Sequence, residues 1–284
     1  MDYVLYSLSV LLMIVMPLAL GTMIARQRPV TWDLFGIGAA TFVGAQLFHL
    51  PFNWAVEKLE LLPQLDSTVR TLVVVALFAG LSAGFFEEVA RYVAYRYWAK
   101  EARTWGASLM LGAGHGGVEA ILLALLLAAN LTFLFGIRGD YFTKLIPAEQ
   151  LSLVQSQAEG LFAVPGYQAL LPALERLFAL CAHLALSLLV MQVFTRQQWR
   201  WLLAAVGWHA LLDALALFGA VRWSVLAAEA VVGLVALLSL GIVFLLYEPA
   251  ATTVAPDPLP APEPVARLRV EPTAEELEQS RYHG

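Results

Sequence analysis

Seven apolar runs divide the chain, separated by short polar or charged connections. They are Leu5–Ile24, Leu34–Phe52, Thr71–Tyr95, Trp105–Phe135, Leu171–Phe194, Trp201–Phe218 and Val225–Tyr247. Each is long enough to hold the roughly 17–25 residues of a helix that crosses a bilayer. The pattern predicts an all-α fold, a polytopic transmembrane helix bundle of about seven spans. Pro51 and Asn53 are expected to close the second span. Within the long connection Gly136–Gln168, the stretch Pro147–Gly160 leaves room for an eighth, interfacial helix. The first run is read as a retained span and not a signal peptide, because Asp2 is the only early charge and the run is too long for an h-region.

The pattern breaks at Pro249. Residues 249–284 hold half of the chain's 14 prolines, mixed with Ala, Thr and Glu. Such a segment cannot bury enough apolar surface to offset the entropy of ordering. The expected organisation is therefore a helical membrane domain over 1–248 and a disordered tail over 249–284, with at most a helical turn at Thr273–Ser280.

Composition agrees. The chain is 60% hydrophobic and 14% charged, where soluble domains average about 45–50% and about 25%. A net charge of -5 offers no basic footprint for nucleic acid, so the lipid bilayer is the first partner. A single cysteine, Cys181, excludes an intrachain disulfide and a zinc ribbon. Basic residues give orientation. Arg26, Arg28, Arg91, Arg96, Lys100, Arg103, Arg196 and Arg200 fall on one side; Lys58, Arg70, Arg138, Lys144 and Arg222 fall on the other. The positive-inside rule then places the N-terminus outside and the C-terminus in the cytoplasm, as suits a prokaryotic plasma membrane.

Charge inside the spans is what changes the picture, because each ionised group at the centre of a spanning helix costs about 2.5–3.5 kcal/mol on insertion scales. The third run carries Glu87, Glu88 and Arg91; the fourth, His115 and Glu119; the fifth, Glu175, Arg176 and His183; the sixth, His209 and Asp213. At a rise of 1.5 Å per residue, Glu87, His115, His183 and His209 fall within ~6–15 Å of the same, basic edge. Glu87/Arg91, His115/Glu119 and His209/Asp213 are each four residues apart and so share a helical face. Arg91 also reaches Glu88 at three residues, so spacing does not choose between the carboxylates. Glycines at 80, 84, 112, 114, 116 and 117 allow close helix approach there. Asp33 and His49 are expected at the interface, Glu229 in solvent, and His283 without a role.

The order Glu-Glu-x-x-Arg, His-Gly-x-x-Glu, Glu-Arg with a histidine seven residues on, and His-x-x-x-Asp resembles the YhfC-type family of intramembrane peptidases. That family is related to the CAAX-processing and bacteriocin-processing proteases, or ABI proteins. In the broader group three residues usually separate the paired Glu from the Arg, against two here, and the last motif usually ends in Asn where Asp213 stands. The resemblance implies hydrolysis of a peptide bond in a membrane-associated peptide or protein. The favoured reading is metal-free, with Glu87 or Glu88 activating water, His115 positioning it, and His209 with Asp213 donating to the oxyanion. Arg91, Glu119, Glu175, Arg176 and His183 support the cavity. The alternative is zinc held by His115, His183 and His209. A proton-coupled carrier or a non-catalytic scaffold is the reading outside catalysis. The scissile bond is expected near the inner leaflet, with the pocket open toward the cell interior.

Overall fold

The computed structural model describes residues 2–64 and 68–248, together with positions 274 and 278. The tail reading therefore lies outside the described residues, apart from those two positions. Among the described residues eight α-helices follow one another: α1 (Asp2–Gln27), α2 (Trp32–Lys58), α3 (Val69–Tyr97), α4 (Trp105–Arg138), α5 (Ala148–Ala163), α6 (Leu171–Thr195), α7 (Arg200–Arg222) and α8 (Val225–Leu245). Among the described residues there is no strand. All but α5 are long and apolar enough to span a bilayer. Helix α5 fills the place left for an eighth helix, and it packs on α4.

Local chemistry sets several of the boundaries. Thr104 and Ser224 stand just before α4 and α8, and their side-chain oxygens accept from the N–H groups of Ala107 and Ala227. These caps satisfy donors that a helix start leaves open. One boundary differs from expectation: α2 does not close at Pro51 but runs through it to Lys58. Proline removes one N–H from the ladder, and the turns beyond it continue because Val56 is buried and the Asn53 side chain bonds back to His49.

Helix α6 is the axis of the bundle. In its most apolar window 72% is buried, against 28–33% in the other spans. Leu184 to Val193 is buried without a break, in a core shared with Tyr95 of α3 and with Leu109, Met110 and Leu111 of α4. Around α6, α3 lies along α7, while α1 and α2 lie along α4.

Glycine makes these crossings close enough to matter. A Cβ on Gly84 would sit 2.8 Å from the Val206 carbonyl oxygen of α7. One on Gly116 would sit 2.6 Å from the ring of His183, which brings α4 and α6 to hydrogen-bonding range at the level of the histidines. Gly114 faces the backbone of Phe35 on α2, with no flexible side chain between them. By contrast, nothing stands within 4 Å of a Cβ at Gly36. Gly114→Ala is expected to destabilise the bundle by about 1–3 kcal/mol, while Gly36→Ala is neutral or slightly stabilising. Thermal unfolding of the two variants in detergent checks the contrast.

Candidate metal centre

The unusual residues of four spans meet. Glu87 lies ten residues before the end of α3, His115 ten after the start of α4, His209 nine after the start of α7, and His183 twelve before the end of α6. All four are therefore about 13–18 Å from the basic end of the bundle. The rings of His115 and His183 meet at a tilt, 5.0 Å between centroids, and those of His183 and His209 meet edge-on at 5.8 Å.

The two glutamates separate. Glu88 and Arg91 are wholly buried and form an ion pair. Glu88 Oε1 also accepts from His209 Nδ1 at 2.8 Å. Glu87 turns the other way: Oε1 accepts from Gln46 Nε2 at 3.0 Å, and Oε2 lies 3.0 Å from His115 Nε2 and 3.7 Å from His209 Nε2. Glu119 does not serve His115, its neighbour one turn away. Its Oε2 instead accepts from His183 Nε2 at 2.7 Å, and its Oε1 accepts from Arg176, which also bridges to Glu175.

These partners assign the protons. Thr41 has one hydroxyl proton, and it goes to the Gly38 carbonyl at 2.6 Å. The Thr41 oxygen therefore accepts from His115 Nδ1 at 2.7 Å, which leaves the lone pair on Nε2. Arg91 can only donate, so His183 Nδ1, 3.1 Å away, carries the lone pair and Nε2 the proton. Glu88 accepts from His209 Nδ1, which leaves Nε2 free toward Glu87 and Asp213, the latter at 3.5 Å. His115 and His209 are thus pinned at Nδ1 by an oxygen and turn Nε2 toward Glu87, while His183 is held at both nitrogens, by Glu119 and by Arg91. Metal-bound histidines are supported in this way.

This donor set fits a divalent cation. One ligand atom each from Glu87, His115 and His183 can be chosen so that all lie within 4.8 Å of one another. Ligands on a tetrahedral zinc, bonded at about 2.0–2.1 Å, stand about 3.3 Å apart; the Glu87–His115 separation of 3.0 Å is close to that. Charge points the same way. Arg91 compensates Glu88 and Arg176 compensates Glu119, but no guanidinium reaches Glu87. Its Oε2 faces imidazole lone pairs instead, an arrangement that is repulsive until a proton or a metal ion enters. Arg91 Nη2 holds the His183 lone pair that a metal would take.

A cavity of about 80 Å³ opens beside the cluster, lined by Glu87, Glu119, Arg176, His183, His209 and Asp213 among others. It has room for a few waters. Relative to the histidine layer, Glu119, Glu175, Arg176 and Asp213 all lie farther from the basic connections. Glu175 and Asp213 are 44% and 37% exposed there. Toward the basic end, Arg91 and Glu88 seal the site, followed by Tyr95, whose hydroxyl bonds Ser108 and Ser187 at 2.7 and 2.9 Å, all fully buried. The expected opening at the basic end of the bundle is not found: packing closes that end and the cavity lies on the other side of the histidine layer.

Some side chains are not where the pattern put them. His49 is buried and not interfacial: its Nε2 contacts Ser82 at 3.1 Å and Asn53 at 2.8 Å, and its ring stacks on Phe86. Glu229 is half-buried, with one carboxylate oxygen shielded from solvent and unpaired. Asp33 is exposed beside Thr31, as expected. Thr41 and Gln46 were missed. With His49 and Asn53 they recur at spacings of five, three and four along α2, a polar face in an apolar run that sequence could have disclosed.

The fold and the cluster together define an integral membrane protein with a buried, metal-competent acid–histidine centre. The chain belongs to the YhfC intramembrane metalloprotease family, whose profile matches residues 11–236. It is 31% identical over 240 residues to the "Uncharacterized membrane protein YhfC" of Bacillus subtilis (strain 168), covering 82% of this chain and 92% of the relative. No solved structure matches it. The expected family is thereby found; the wider kinship with CAAX- and bacteriocin-processing proteases rests on the motifs alone. The preference for metal-free glutamate chemistry, with no cofactor, loses its support. The family description and the convergence of Glu87, His115 and His183 both favour the metal alternative.

Breaking a buried pair at one partner leaves an uncompensated charge and costs about 3–5 kcal/mol. Arg91→Met is expected to destabilise by that amount, well beyond Arg176→Met, whose acidic partners reach solvent. Thermal unfolding of both in detergent compares them.

Proposed function

We propose that the protein is a metal-dependent intramembrane peptidase that hydrolyses a peptide bond of a membrane-associated protein or peptide at the non-basic side of the bundle. The observation that carries this is the convergence of ligand atoms from Glu87, His115 and His183, with Glu87 the carboxylate of the cluster that has no guanidinium partner among the described residues. Glu87, His115 and His183 would hold a divalent ion of the zinc type, which when bound polarises a peptide carbonyl and acidifies water. This assignment keeps two of the three histidines of the zinc alternative and replaces His209 with Glu87.

His209 is then the proton carrier. Its Nε2 faces the cavity between Glu87 and Asp213, within reach of cavity water, while Glu88 holds Nδ1 in place. A proton taken at Nε2 leaves an imidazolium flanked by Glu88 and Asp213, and the same atom returns it to the leaving amine. Glu119, anchored by Arg176, keeps the His183 ring turned with Nδ1 toward Arg91. Arg91 and Tyr95 keep bulk water from the basic side.

With the basic connections in the cytoplasm, the cavity faces the outside, and so does the scissile bond. That orientation rests on the distribution of arginine and lysine.

Purified protein is expected to carry about one zinc per chain, and Glu87→Gln or His115→Gln to lose it. His209→Gln keeps the metal but loses cleavage by about 10²–10⁴-fold, the usual worth of a general acid–base group. Metal analysis beside a survey of new N-termini among membrane proteins of expressing cells separates these outcomes. A chain that binds no metal yet still cleaves would end the proposal. For orientation, Asp213→Cys in a Cys181→Ala background should react with a membrane-impermeant thiol reagent in intact cells, while Arg96→Cys should not. The reverse pattern would place the cavity inside.

A further inference from the structure

Two side chains of α2 reach the centre, and neither is an acid or a histidine. We infer that Thr41 and Gln46 are positioning residues for metal binding: Thr41 selects the His115 tautomer whose Nε2 is free, and Gln46 turns Glu87 so that Oε2 faces the histidines. The inference rests on the reading of Glu87 and His115 as ligands.

Thr41 is buried where α2 crosses α4, and Gly38, one turn before it, abuts the α4 backbone at Leu111 and His115. The register of α2 on α4 is therefore fixed by backbone contact, and it puts the hydroxyl 2.7 Å from His115 Nδ1. A threonine bonded back to its own helix is ordinary in apolar helices. Thr22 and Thr132 do the same, to Leu18 and Ala128, on exposed faces with no histidine. What differs at Thr41 is the consequence. With the hydroxyl proton on the Gly38 carbonyl, the oxygen accepts from His115 Nδ1, which is the tautomer that frees Nε2 for a ligand.

Gln46 complements this from the next turn of α2. A free carboxylate presents two equivalent oxygens, and its rotation would let either one approach His115. An amide donor 3.0 Å from Oε1 removes that freedom while adding no charge to a site that already holds an excess of acid. A lysine or arginine there would compensate Glu87 and compete with a cation; a glutamine orients it only. Both residues thus hold the ligands in a cation-binding arrangement without contacting the cation themselves.

The test is zinc affinity, measured by competition with a chromophoric chelator on purified wild type and variants in detergent. Thr41→Val keeps shape and loses the acceptor; Gln46→Leu loses the amide at a half-buried position where packing changes little. Each is expected to weaken zinc binding about 10- to 100-fold, the usual effect of removing a residue that supports a metal ligand, while Thr41→Ser keeps wild-type affinity. Wild-type affinity in both Thr41→Val and Gln46→Leu would overturn the inference and leave the metalloprotease reading standing. A wild-type chain that takes no zinc would overturn both. Should Thr41→Val fail to fold, Gln46→Leu with Gln46→Asn decides alone: retention of affinity in both refutes the role of α2.

Discussion

An ionised group in an apolar helix bundle has to be compensated by its neighbours, since the bilayer offers it nothing. Arg91 shows how far this constraint reaches. It is wholly buried, and its guanidinium serves both Glu88 and the lone pair of His183. Through Glu88 it governs the orientation of His209; through His183 it connects to Glu119, and from there to Arg176 and Glu175. Charges from four helices thereby form one network, whose members are satisfied only when α3, α4, α6 and α7 are all in register. Stability and site geometry are consequently the same problem in this protein.

Compensation is deliberately incomplete in one place. Three enclosed carboxylates, Glu87, Glu88 and Glu119, face two guanidiniums, Arg91 and Arg176. The unmatched charge falls on Glu87, and adjacency explains why. Consecutive residues on a helix point about 100° apart, so the pair cannot share one environment. Glu88 turns toward α6 and α7, where Arg91 and His209 meet it; Glu87 turns toward α2, α4 and the cavity. Two identical neighbouring side chains are thereby divided into one that holds the scaffold and one whose charge has no guanidinium beside it.

Much of this was readable from the chain. Apolar run lengths gave the spans, and the depth of Glu87, His115, His183 and His209 gave their meeting, because helical rise is constant. Pairings were less legible. Spacing four on one helix suggested His115 with Glu119, but a longer reach across α4 and α6 couples Glu119 to His183, at a crossing that Gly112 and Gly116 bring close. His49 was misplaced for a similar reason: distance along the chain put it near a span end, whereas α2 continues through Pro51 and carries it into the bundle. The side on which the cavity opens could not follow from depth at all, since it depends on which flank of the histidine layer is packed. Tyr95, Ser108 and Ser187 are unremarkable in sequence, and they close one flank as a hydrogen-bonded plug.

The division of labour between helices follows from the same electrostatics. Helices α3, α4, α6 and α7 bring every charged group, and each of those has to be matched by another. Helix α2 brings Thr41, Gln46, His49 and Asn53, which orient partners without carrying a fixed charge. A neutral donor or acceptor can be buried at the cost of one hydrogen bond satisfied locally, whereas a charge would demand a counter-charge and propagate the network outward into lipid. Helix α2 lies at the edge of the site, with Phe48 and Leu47 exposed on its far face. Neutral polar groups are the ones such an edge helix can carry, and they suffice to fix a tautomer and a carboxylate.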